Sequence, residues 1–315
     1  MRKLHKEILF IEPIFKQKIW GGNKLKNEFG FDVPCENAGE CWGISAHPEG
    51  ECVIANGFFK GKKLSEVWQD YPKLFGKNHT EAGFPLLVKI IDAKENLSVQ
   101  VHPDDNYAFM YENGQRGKTE CWYVLSCDEN ANILVGHNAK TKAEMVEMIE
   151  NKQWDKFIRK IPVKKGDFFQ IEPGTVHAIT TGTVILEIQQ SSDLVYRIYD
   201  YDRTENGVPR QLHKQCVDVI TVPQIAKVKP TPVITRDNLS TITKWVKCEH
   251  YTVTMYEVIK KLNVDEAKSY MLFCVAEGSG TFDDIPIKQG DFFIVPSGYG
   301  RFTLNGEMLL MRAEE

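Results

Sequence analysis

The chain has 315 residues, 42% hydrophobic and 26% charged, with a formal net charge of −4. That is the balance of an ordinary soluble globular protein, long enough for two medium cores, with no electrostatic reason to bind nucleic acid or an anionic membrane. No run approaches the roughly 18 to 20 apolar residues of a membrane span. The eight cysteines are scattered without a CxxC pair, as suits buried thiols in a reducing compartment.

The opening stretch, MRKLHKEILFIEPIF, reads as a first strand, because Glu7 and Glu12 bracket its apolar part and no small-residue cleavage site follows. This reading places the protein in the cytoplasm. A helical pattern covers 62–76, and FPLLVKIIDA at 84–93 then reads as a strand. LSVQVH at 97–102 alternates, putting Leu97, Val99 and Val101 on one face and Ser98, Gln100 and His102 on the other. A helix is predicted over 104–114, a strand over 120–125, a helix over 141–158, and further strands over 183–189 and 251–258. Many short strands with few helices point to a mainly β fold of barrels or sandwiches.

Three prolines and little alternation mark 222–237 as an extended linker. It divides the chain into a catalytic, metal-binding unit at 1–225 and a smaller unit at 226–315. An internal repeat supports the division. KKGDFFQIEPGTVHAI at 164–179 matches KQGDFFIVPSGYGRFTL at 288–304, so that Gly174 meets Gly298 and His177 meets Arg301. The repeated unit resembles the second motif of the cupin superfamily, whose members are double-sheet jelly rolls. The expected fold is two cupin-type jelly-roll barrels with a few short helices around them. The second barrel lacks the metal histidine and is either structural or shapes the pocket.

His102, His177 and Glu120, at the start of ECWYVL, with Gln100 nearby, form a nitrogen and oxygen set suited to zinc or another divalent first-row ion. A solvated strand face and strand-end polar residues are the plain alternative. Arg197, between Tyr196 and Ile198, and Lys89, inside LLVKII, need anionic partners if buried. An ion pair would satisfy them, and so would a phosphate-bearing substrate.

Together the segments IWGG (19–22), GECWGISAHPEG (39–50), LSVQVHPDD (97–105), GKTECWYV (117–124), PGTVHAI (173–179) and EIQQSSDLVYRIYDYDR (187–203) resemble the type I mannose-6-phosphate isomerases, in family order and in the short bacterial form. The resemblance implies a cytoplasmic enzyme that interconverts mannose 6-phosphate and fructose 6-phosphate through a cis-enediol. It also implies one zinc ion (Zn2+) per chain and no obligate protein partner. By motif, the metal falls to Gln100, His102, Glu120 and His177, with Gln100 either a direct ligand or a group behind one. Arg197 holds the phosphate or the developing negative charge. Lys118, with a pKa lowered by burial and metal, or Glu187 carries the proton. Lys89 and Ser98 contact phosphate or hydroxyls, and Trp20 walls the pocket or belongs to the core. Longer members read K-P-E where this chain has Lys118, Thr119 and Glu120. The competing readings are another cupin metalloenzyme, such as an iron oxygenase, and a non-catalytic phosphosugar-binding cupin.

Overall fold

The computed structural model describes residues 6–77, 83–224, 229–265 and 269–315. It is mainly β, built on three antiparallel sheets. A six-stranded sheet runs Phe168–Ile171, Glu120–Cys127, Thr183–Gln190, Leu86–Ala93, Ile14–Gly22 and Ala38–Ile44. A five-stranded sheet runs Ile158–Pro162, Asn132–His137, His177–Ala178, Val99–Val101 and Tyr196–Tyr199. The ten-stranded sheet takes most of its strands from residues 233–314, together with Leu9–Glu12 and Val53–Ile54 from the amino-terminal part.

Side-chain alternation explains how these sheets stack. Leu86–Ala93 and Thr183–Gln190 are buried at every position, as expected of strands covered on both faces. Ile91, Trp122 and Ile185 point one way and pack with Ile133, Val135 and Ile179 between the six- and five-stranded sheets. Ile90, Tyr123 and Leu186 point the other way and pack with Val253, Leu272 and Phe292 of the ten-stranded sheet. That sheet closes on a core of its own, dominated by Tyr256, Phe273, Phe282, Phe293 and Phe302.

The three predicted helices occur, and two of them carry a break that local chemistry explains. The 62–76 pattern becomes Leu64–Asp70 followed by a 3-10 turn at Pro72–Phe75, because proline cannot continue the hydrogen-bond ladder. The 141–158 pattern becomes Lys142–Glu150 and Trp154–Phe157, separated where Lys152 turns left-handed at φ 52°. Thr141 caps the first of these and Asp104 caps Asp105–Tyr111, each side-chain oxygen accepting a backbone N–H.

The repeat is a repeat in three dimensions. Gly166 and Gly290 turn at φ 88° and 89°, a conformation that favours glycine. Asp167 and Asp291 each accept the backbone N–H three residues back, from Lys164 and Lys288. The strands Phe168–Ile171 and Phe292–Val295 follow. His177 is fully buried, whereas Arg301 is exposed. One expectation is corrected: 222–237 is not extended linker throughout, because Val233–Arg236 pairs with Ser240–Lys247. Residues 225–228, and with them the proposed unit boundary at 225/226, lie outside the described residues.

Candidate active site

The site lies between the six- and five-stranded sheets. Strand register brings its parts together. His177 pairs with Gln100, and Gln100 with Arg197, across three neighbouring strands of the five-stranded sheet. Directly paired residues face the same side, so all three side chains point to one interior. In the facing sheet, Glu187 lies opposite both Lys89 and Trp122, and Gln189 opposite Glu120.

His102, Glu120 and His177 converge, with one ligand atom from each lying within 4.8 Å of the others. The two imidazole Nε2 atoms are 3.1 Å apart. Glu120 Oε2 lies 3.5 Å from His102 Nε2, and Oε1 lies 3.4 Å from His177 Nε2. His177 Nδ1 donates to the Thr175 carbonyl at 2.8 Å, which leaves Nε2 as a lone pair. Neither Glu120 oxygen accepts a hydrogen bond, although Lys118 Nζ forms an ion pair with Oε2 at 3.0 Å. A fully buried carboxylate that accepts no hydrogen bond, facing two imidazole Nε2 atoms, is costly by itself and is the donor set of a divalent first-row ion. These residues therefore fit the metal expected from the sequence.

Burial keeps the histidines neutral. It lowers His102 to about 3, with the Lys118 charge acting in the same direction, and it lowers His177 as well. Glu120 is held well below the carboxylate range: burial opposes its ionisation, but Lys118 and the histidines outweigh that effect. Burial lowers the Lys118 pKa, but Glu120, Glu187 and Asp193 raise it further, so in this donor set it remains an ammonium.

Beside these ligands is a cavity of about 200 Å³, walled by Trp20, Lys89, Ser98, Gln100, Lys118, Glu187 and Arg197 among others. Every other residue expected at the site thus faces this one space. Trp20 both lines the cavity and packs in the core beneath it. Glu187 accepts the Trp122 Nε1–H at 3.0 Å and lies 3.7 Å from Lys89. Burial and the Glu120 charge push its carboxyl up to about 7 against the pull of Lys118 and Lys89.

The structure adds Lys18, Glu40, Asp193 and Arg210 to the lining. Glu40 accepts the Trp42 indole N–H at 2.6 Å and pairs with Lys18 at 3.2 Å. Burial works against the Glu40 carboxylate, yet Lys89, Lys18 and Trp42 hold it at about 2. The alternation of Lys18 with Trp20 was a usable signal for Lys18. Arg210 follows a short exposed hairpin, Thr204–Glu205 with Val208–Pro209, and nothing in the local pattern marks it. Among the described residues the lining falls between positions 18 and 210, and none of it comes from 229–315.

The profile of phosphomannose isomerase type I, catalytic domain, matches residues 8–120, and that of the mannose-6-phosphate isomerase cupin domain matches 241–314. The mannose-6-phosphate isomerase ManA of Bacillus subtilis is 44% identical over 306 residues, covering 95% of this chain and 96% of its own. The chain belongs to the type I mannose-6-phosphate isomerases. A crystal structure of the Bacillus subtilis mannose 6-phosphate isomerase superposes on this isomerase with a TM-score of 0.94 at 42% identity, covering 98% of this chain and 99% of that one. A zinc-bound mannose 6-phosphate isomerase shares the fold at 13% identity, with a TM-score of 0.80 over 98% of this chain and 99% of its own. In this isomerase, Thr119 stands where longer members carry proline. Its backbone N–H donates to Gln190 Oε1 at 2.8 Å, a bond that proline could not make.

Proposed function

We propose that this isomerase holds one zinc ion through His102, Glu120 and His177, with Gln100 beside them. It interconverts mannose 6-phosphate and fructose 6-phosphate through a cis-enediol. The observation that carries the reading is the buried Glu120 carboxylate, which accepts no hydrogen bond and faces two imidazole Nε2 atoms beside a cationic cavity. The zinc-bound isomerase of the same fold favours zinc as the ion.

Zinc, when bound, supplies a Lewis acid for the carbonyl oxygen of the open-chain sugar. Glu187 is the base. Poised at about 7, it takes the proton from C2 of the aldose and returns it to C1, while the hydroxyl proton of O2 passes to O1, giving the ketose. Lys118 places positive charge where the substrate oxygens become negative, and Arg197 meets the phosphate. Lys89 and Ser98 contact substrate hydroxyls, and Trp20 keeps bulk water from the enediol. Residues 1–225 form the catalytic unit and 226–315 a supporting one. The cytoplasm is the expected compartment.

Glu187→Gln tests the proton path. Turnover should fall by about 10² to 10⁴-fold, with metal content and the thermal midpoint preserved. The parent should exchange part of the transferred proton with deuterated solvent, read by NMR at C1 of fructose 6-phosphate. Near-normal turnover in the folded, metal-loaded variant would remove Glu187 from the mechanism.

A further inference from the structure

We infer that Arg210 joins Arg197 in binding the substrate's phosphate, carried to the cavity by the folded-back segment 200–213. The inference rests on the isomerase reading above and adds where in the cavity the phosphate goes. Both arginines line the cavity. Arg197 Nε is buried without a hydrogen-bond partner, and among the described residues no carboxylate lies within ion-pair distance of this guanidinium. Burial and the adjacent Arg210 charge both disfavour its cation, and Asp200, Glu205 and Asp193 offset that only in part. A half-buried guanidinium whose Nε has no partner calls for an anion.

Arg210 is held ready beside it. Its Nη1 lies 3.1 Å from Asp200 Oδ2 without making a hydrogen bond, and its Nε lies 3.4 Å from Glu205 Oε2. Asp200 is buried and also pairs with Arg203, so two arginines share one carboxylate. The segment is tied back at both ends. Arg210 N–H donates to the Arg203 carbonyl at 3.1 Å, His213 N–H donates to the Arg197 carbonyl at 2.9 Å, and Arg197 N–H donates to His213 Nδ1 at 3.0 Å. Of the cavity's cations, only Arg197 lacks a carboxylate among the described residues: Lys18 has Glu40, Lys89 has Glu187 and Asp193, Lys118 has Glu120, and Arg210 has Asp200 and Glu205.

Distance supports the same end of the cavity. The strand Tyr196–Tyr199 lies two places from His177–Ala178 in its sheet, which separates their backbones by about 10 Å. An extended hexose phosphate with C1 and C2 at the histidines would bring its phosphate to the two arginines.

The test is steady-state kinetics on the full metal-loaded chain. In Arg210→Gln, KM for mannose 6-phosphate and the inhibition constant of inorganic phosphate should both rise by about tenfold or more, while kcat changes by less than about threefold. Arg210→Lys should recover part of the loss. Values within about twofold of the parent for both constants would overturn the assignment and leave the isomerase reading intact. A metal-loaded parent without turnover would overturn that reading instead. Should the glutamine variant fail to fold, phenylglyoxal modification of the parent, mapped by mass spectrometry, decides. Inorganic phosphate should slow labelling of Arg210 and leave the exposed Arg301 unaffected, and equal labelling of Arg210 with and without phosphate would refute the proposal.

Discussion

His102 illustrates how the surroundings of a side chain set its chemistry. Lowered to about 3 by burial and Lys118, it remains a neutral donor well below the usual range of about 6.5. The unfolded chain therefore binds protons that the fold refuses, and without metal this costs stability as pH falls. The urea midpoint of the chelated protein should decline from about pH 6.5 toward about pH 3, with a slope shallower by about one proton in His102→Gln. A midpoint that is flat across this window would contradict the neutral, buried histidine. At this scale the sequence was legible where alternation did the sorting. Ser98, Gln100 and His102 had to share a face once Val99 and Val101 were buried. The ion-pair partners were less legible. The effect of Glu120 on Lys118 depends on a distance of 3.0 Å, and the role of Arg210 depends on where a hairpin returns the chain.

Elements meet in this fold with little room between them. Strand Ala38–Ile44 passes so close to the ten-stranded sheet that a Cβ on Gly43 would overlap the ring of Phe292, itself fully buried. Gly43→Ala should therefore destabilise the protein by about 1–3 kcal/mol. Phe292→Leu in the same chain should recover part of that loss, as expected of neighbours that couple. Additive urea-denaturation values would refute the contact. The strands at 84–93 and 183–189 were readable as strands because each is a short, largely apolar run with several β-branched residues. Their burial on both faces was not readable, because Lys89, Glu187 and Gln189 put polar groups on one face of each strand. The pairing of Leu9–Glu12 with Phe292–Ile294 was not, because it joins segments from opposite ends of the chain and depends on tertiary packing. Helix breaks at Pro72 and Lys152 were hidden inside amphipathic patterns that continue across them.

At the scale of the whole molecule, the two copies of the GDFF unit have diverged in what they enclose. The first leads to His177 and a polar cavity. The second closes over Phe273, Phe282, Phe293 and Phe302, leaves Arg301 on the surface, and supplies nothing to the lining of the cavity. Its contribution is a sheet against which the six-stranded sheet packs through Val253, Leu272 and Phe292. The central claim, that His102, Glu120 and His177 hold a zinc ion on which isomerisation depends, is tested most directly by one titration. The purified protein is chelated, zinc is returned in steps, and mannose 6-phosphate conversion is followed beside bound zinc. Activity should vanish on chelation and return in proportion to zinc, saturating at one ion per chain. Full turnover by the chelated protein, or none from a folded chain carrying one zinc, would contradict the account.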